Sequence, residues 1–216
     1  NQIINNLETK IEFDFSNITN QKSMSGFIHS FNNTSPSLNN VIPLQPNTWT
    51  FGDATRYNTV KNQIQSEHYI LRLKGLFQEQ NPTQQFPFED WSVWESFIEE
   101  TANTYGSADI YWSIWNEPDE TTFWVDEFNG ISGKELYFET YKRAYTVFKN
   151  VLGNDVKVGG PDLESFEVSW LNDFFDFCLS TSLEINFLTW HEFETEYHLI
   201  EEHLNYIYDN IISNST

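Results

Sequence analysis

Basic residues are scarce in this chain, and cysteine is nearly missing. Eleven Lys and Arg stand against 32 Asp and Glu, a formal net charge of −21 over 216 residues. Such a surface repels phosphate backbones and argues against a nucleic-acid partner. It repels anionic membranes in the same way. Cys178 is the single cysteine, so no intramolecular disulfide is possible. Its place on an apolar helical face marks a buried structural thiol. No run of about 18 apolar residues occurs, so nothing reads as a membrane-spanning helix. No Gly-rich phosphate loop follows the first strand, which weakens a nucleotide-dependent α/β enzyme. No secretory leader is visible and the first residue is Asn, as in a processed product or a fragment. Three Asn-X-Ser/Thr matches, at Asn17, Asn32 and Asn214, are what chance gives in an Asn-rich chain.

What the chain does have is aromatic: Phe, Trp and Tyr make up 17% of it. That content fits a globular core, and around a cleft it supplies flat apolar faces. From residue 26 onward, short strands alternate with amphipathic helices. Strands are expected at 26–31, 49–51, 69–73, 110–115, 156–160 and 185–190. Between them, Asp53 caps a helix carrying Tyr57, Val60 and Ile64. A polar, Pro-bearing loop covers 78–87 and a helix runs from Trp91 to its stop at Gly106. Ser132 and Glu135 form a capping box that opens a helix ended by Gly153. Further helices carry Leu171, Phe174 and Cys178, and then Ile200, Leu204 and Ile207.

Helices between successive strands imply a parallel sheet. The expected fold class is α/β, an incomplete TIM (β/α)₈ barrel of about six βα units with an extra N-terminal strand. Residues 1–23 are assigned to that extension, where Ile11, Phe13 and Phe15 alternate with Glu12 and Asp14. Residues 24–216 are assigned to the partial barrel. A complete barrel has eight strands and about 250 residues. Six strands leave open edges, so the sequence is expected to be cut short at its C-terminus or completed by another segment.

The most informative stretch is Trp115-Asn116-Glu117-Pro118-Asp119. It ends the apolar run of the fourth strand, and Pro118 is expected to stop the ladder there. Glu117 is thereby set at the lip of a parallel sheet. Trp112 and Trp115 are expected to surround it and favour its neutral form. Glycosidic bond cleavage normally uses two carboxyl groups, one as proton donor and one as nucleophile or base. Glu117 fits the donor, and Asn116 is placed to hydrogen-bond a sugar hydroxyl. The duller alternatives are a salt-bridged loop acid and an Asx turn. Glu192, Glu194 and Glu196 read as solvated acids at a helix start rather than as the second carboxyl.

In this strand context Trp-Asn-Glu-Pro resembles the signature of the clan A glycoside hydrolases. The closest-looking branch is family 39, the β-xylosidase and iduronidase group. The resemblance also rests on residues 26–31, on Val-Lys-Val-Gly-Gly-Pro-Asp at 156–162 and on Phe-Leu-Thr-Trp-His-Glu-Phe at 187–193. It implies a retaining O-glycoside hydrolase acting on β-linked glycans, with Glu117 as general acid/base. Asn116, His29, His191 and Trp190 would bind the substrate, an oligo- or polysaccharide. It implies a nucleophile on a seventh strand, which these residues do not contain. No cofactor is expected, and no ligand spacing supports a metal at His29, His191 and Glu192; the setting is left open, with a secreted or periplasmic one favoured. His29 and His191 read equally as hydrogen-bonded core histidines. The alternative for the whole chain is a catalytically inactive carbohydrate-binding barrel fragment.

Overall fold

The computed structural model describes residues 26–28, 48–51, 68–106, 110–193 and 197–212. Six strands lie in one parallel sheet, in the order β1-β2-β3-β4-β7-β8. They are β1 (Gly26–Ile28), β2 (Thr48–Phe51), β3 (His68–Arg72), β4 (Ile110–Ser113), β7 (Lys157–Leu163) and β8 (Leu188–Trp190). A separate two-stranded ribbon, β5 (Glu127–Phe128) and β6 (Ile131–Ser132), pairs antiparallel. The helices are α1 (Leu73–Gln80), α2 (Trp91–Tyr105), α3 (Gly133–Leu152), α4 (Val168–Ser180) and α5 (Tyr197–Ile207). Strands β3, β4, β7 and β8 with these helices form a curled half-barrel. The links from β1 to β2 and from β2 to β3 fall outside the described residues. So do the expected N-terminal strand, the helix begun at Asp53, and His29.

Alternation sorts side chains between the two faces of the sheet. Tyr69, Leu71, Ile110, Trp112 and Val158 are buried, and Trp112 stacks on Phe148 of α3 at 4.6 Å. That face is the core, shared with Trp94, Ile98, Tyr141 and Phe174 from the helices. Two of the buried polar groups there find carbonyl partners. Trp94 donates to the Thr140 carbonyl at 3.2 Å, and Tyr141 donates to the Glu184 carbonyl at 3.2 Å. On the opposite face, His68, Tyr111 and Phe187 line up across three neighbouring segments, with ring centroids 4.6 and 5.5 Å apart.

The helix signals work as chemistry says they should. Asp90 caps α2 by accepting from the Ser92 amide at 2.9 Å. Ser132 and Glu135 form the reciprocal capping box of α3, and Gly153 ends that helix with φ 85°. Cys178 is buried on α4, and burial pushes its thiol up to about 12.

Four expectations need correction. The loop expected from Gln78 begins only after Gln80, because α1 leaves β3 directly at Leu73. The fourth strand ends at Ser113 rather than Trp115, and Pro118 does not stop it. Trp115, at φ 107°, turns the chain out of the ladder first. The fifth strand does not end at Gly160 but runs to Leu163. Its pairing with β4 ends at Gly159, and from Gly160 it pairs with β8, so Pro161 is not asked to donate to β4. Gly159 is needed there because a side chain would collide with the Phe187 carbonyl.

Candidate active site

The carboxyl ends of β3, β4, β7 and β8 converge on four ionisable side chains. Arg72 closes β3, Glu117 follows β4, Asp162 lies near the end of β7, and His191 follows β8. In open or closed parallel sheets this end is where functional groups gather. The backbone ties the segments together before any side chain does. The Glu117 amide donates to the Asp162 carbonyl at 2.8 Å, and the His191 amide donates to the Leu163 carbonyl at 2.8 Å.

The side chains form a chain of contacts. His191 Nδ1 lies 2.5 Å from Glu117 Oε1, with both side chains mostly buried. The other ring nitrogen, Nε2, faces the Arg72 guanidinium at 3.5 Å. Arg72 Nε is ion-paired with Asp162 Oδ2. Burial pushes the Asp162 carboxyl up, while the Arg72 guanidinium beside it pulls it back; burial prevails. Two further groups surround Glu117. Lys74, in the first turn of α1, donates to Gln78 at 3.2 Å, and its ammonium sits 4.9 Å from the Phe123 ring centre. Burial holds the Lys74 amine below its usual range, opposed by the Glu117 carboxylate and helped by Arg72. Asp119 accepts from the Glu164 amide at 2.9 Å, which braces the loop after β4 against the end of β7. Burial pushes the Asp119 carboxyl up.

The turn that presents Glu117 is anchored by its tryptophan. The Trp115 ring is fully buried among Phe77, Phe86, Trp94 and Trp124, and its Nε1 donates to the Phe123 carbonyl at 3.1 Å. Trp112 and Trp115 therefore pack into the core instead of walling Glu117, contrary to the sequence expectation. The reason is the alternation of the strand followed by the turn at Trp115, which sends both indoles toward the helices. The neighbours of the Glu117 carboxyl are polar: His191, with Lys74 and Asp119 beyond it.

Of the expected binding residues, Asn116 is buried beside Glu117. His191 meets Glu117 directly, as described. Trp190 is half-buried, meets Phe166 edge-on at 5.2 Å and donates to Glu192 at 3.2 Å. Glu192 also pairs with His203 Nδ1 at 2.6 Å, so it is held by partners and is not a freely solvated acid. No group of three or more His, Cys, Asp or Glu able to hold a metal occurs among the described residues. Arg72 and Asp162 were not singled out from the sequence. The signal for Arg72 was present: a lone charge inside the apolar strand Tyr69-Ile70-Leu71-Arg72-Leu73 demands a buried partner.

The fold and site together define an α/β protein with a curled parallel half-barrel and an ionisable cluster at the carboxyl ends of its strands. Comparison with known sequences makes the class specific. The sequence model of Glycosyl hydrolases family 39 matches residues 74–214, and the chain belongs to that family. A beta-xylosidase of Caldicellulosiruptor saccharolyticus is 29% identical over 118 residues, covering 51% of this chain and 22% of that enzyme. A beta-xylosidase of Geobacillus stearothermophilus is 26% identical over 117 residues, with the same coverage of 51% and 22%. The chain thus spans about a fifth of the length of these curated relatives.

Proposed function

We propose that this chain is the acid/base-bearing part of a retaining O-glycoside hydrolase acting on β-linked glycans, with Glu117 as proton donor and then base. The observation that carries the reading is the Glu117–His191 pair at the carboxyl ends of β4 and β8. It leaves Glu117 Oε1 engaged by the imidazole and its second oxygen available to a substrate. In the first step the Glu117 carboxyl gives its proton to the glycosidic oxygen as the C–O bond breaks. A second carboxylate, about 5–5.5 Å away in retaining enzymes, takes the sugar carbon. In the second step the Glu117 carboxylate removes a proton from water as the water oxygen bonds to the sugar carbon and the bond to the second carboxylate breaks, which frees that carboxylate.

Among the described carboxylates near the cluster, Asp162 is committed to Arg72 and Asp119 to the Glu164 amide. The reading therefore assigns the nucleophile to a seventh strand outside these 216 residues, in an eight-stranded barrel whose first six βα units lie here. Asn116 and His191 line the sugar subsite, with His29 and Trp190 as further members. Since the relatives are named beta-xylosidases, aryl β-xylosides are the first substrates to try.

The test is Glu117→Gln in the protein carrying the whole barrel. Turnover of substrates with poor leaving groups should fall by about 10²–10⁴-fold, the usual share of general acid catalysis. Activated aryl glycosides, whose leaving group needs no proton, should still form the glycosyl-enzyme. Near-normal turnover of the poor-leaving-group substrates would remove Glu117 from the role. Sugar binding without any turnover in the unsubstituted protein would favour the inactive binding barrel.

A further inference from the structure

The contact between Arg72 and His191 has a consequence beyond the pairing of His191 with Glu117. A guanidinium carries only donors and stays charged at every relevant pH. One of its N–H groups faces His191 Nε2 at 3.5 Å. A proton on Nε2 would set a donor against a donor, and a positive charge beside the arginine. The lone pair on Nε2 is therefore the compatible state, and the ring proton belongs on Nδ1, 2.5 Å from Glu117 Oε1. Free imidazole in water does not hold this arrangement by itself; the neighbour of one nitrogen decides what the other carries.

We infer that Arg72, anchored by Asp162, is a positioning residue that fixes His191 in the Nδ1–H tautomer, so that the proton delivered to the substrate stays on Glu117 and does not pass to the imidazole. The inference rests on the reading of Glu117 as proton donor. The competing states have the same number of protons. In one, Glu117 is a neutral acid beside a neutral histidine with its proton on Nδ1. In the other, a Glu117 carboxylate faces an imidazolium, and no acid is presented to the glycosidic oxygen. The Arg72 cation penalises only the second. Asp162 holds the guanidinium against β7 and His191 through the Arg72 Nε contact, while Nη2 is left to face the ring. The other charges near this pair are Lys74 and Asp119, which act on Glu117, and the Asp162 carboxylate, which acts on His191 from behind the guanidinium and opposes Arg72 in part. The aromatic neighbour of the ring is Phe193, at 5.5 Å.

The experiment uses the full-length enzyme in three forms: unsubstituted, Arg72→Lys, and Arg72→Gln with Asp162→Asn. The double variant removes both charges together and so avoids leaving a lone buried carboxylate. Two readouts are taken. Nitrogen-15 NMR of the histidine side chains, with His191→Asn for assignment, reports the tautomer. Turnover is compared for substrates with poor and with good leaving groups. We expect the Nδ1–H tautomer in the unsubstituted enzyme and a shift to imidazolium or Nε2–H in the double variant. Turnover of poor-leaving-group substrates should then fall about tenfold or more, within the range that general acid catalysis supplies. Good leaving groups should change no more than about threefold, and Arg72→Lys should restore most of the loss. An imidazolium or Nε2–H ring in the unsubstituted enzyme overturns the inference. So does equal loss on both substrate types, which marks a structural role only. The two readings fail separately. A normal Glu117→Gln enzyme removes the proton donor whatever the His191 tautomer is. A crippled Glu117→Gln enzyme with an unaffected double variant removes only the role of Arg72.

Discussion

Deleting the Arg72 guanidinium should strand the Asp162 carboxylate in the protein. The two side chains are 13% and 5% exposed, so water screens neither effectively. Removing one partner of a buried ion pair costs about 3–5 kcal/mol, because the remaining charge stays desolvated. With a urea slope of about 2 kcal/mol/M, that is a midpoint shift of about 1.5–2.5 M. The pH dependence follows from the direction of the Asp162 shift. Burial already raises this carboxyl, and Arg72 is the largest influence pulling it back. A carboxyl raised in the folded state contributes stability that is full below its unfolded value and lost as pH rises through its folded value. Arg72→Met raises the carboxyl further. The variant should therefore be weakest at neutral pH and recover part of its deficit as acid protonates Asp162. Asp162→Asn added to Arg72→Met should restore stability at neutral pH, since Asn tolerates the left-handed backbone there, at φ 61°. Urea unfolding followed by tryptophan fluorescence at two pH values measures all of this. A loss under about 1 kcal/mol at neutral pH, a deficit that ignores pH, or a double variant no more stable than the single would each refute the reasoning.

Two further predictions concern the core. Cys178, buried and with its thiol pushed up to about 12, should resist alkylation at neutral and mildly alkaline pH until the protein unfolds; mass spectrometry of native and denatured samples checks it, and rapid native labelling would contradict the burial. The Tyr137 hydroxyl is buried with no hydrogen-bond partner among the described residues, and its desolvation holds the phenol well above its usual range. Tyr137→Phe should therefore cost less than about 0.5 kcal/mol or stabilise the protein, and a loss above about 1 kcal/mol in urea unfolding would mean that the hydroxyl has a partner.

The helices α2, α3 and α4 could be read from sequence because each declares itself locally. Trp94, Ile98 and Thr101 keep the helical spacing, and Gly106 stops them. Ser132 and Glu135 announce the start of α3. Helix α1 was hidden for the opposite reason: Leu73-Lys74-Gly75 emerges from β3 with no side-chain cap and a glycine in the first turn. The β5–β6 ribbon was missed although Asn129-Gly130, both at positive φ, is a strong two-residue hairpin signal. In the site, Glu117 and His191 stood out because each ends a strand within a recognisable string. Arg72 and Asp162 did not, since their pairing spans 90 positions and no local pattern encodes it. The facing of Trp112 and Trp115 was also hidden. An apolar run such as Ile110 to Trp115 hides its own alternation, and only the turn at Trp115 decides where the second indole goes.

That turn belongs to a larger pattern. Trp115, Glu117 and Asp162 all hold positive φ, at 107°, 50° and 61°, and none is glycine. Each such residue costs about 1–3 kcal/mol unless its surroundings over-determine it. Here each is fixed by a different contact: the Trp115 indole by the aromatic core and the Phe123 carbonyl, Glu117 by His191, and Asp162 by Arg72. The Glu117 amide to Asp162 carbonyl bond joins two of the strained positions to each other. Relaxing any one of them would re-aim the carboxyl that the strand ends present. Three of the five non-glycine residues at positive φ among the described residues thus cluster around Glu117, where the ionisable groups near its carboxyl help to hold them. The buried indole of Trp115, two residues before Glu117 and held by the Phe123 carbonyl, is thereby part of the turn that presents the Glu117 carboxyl.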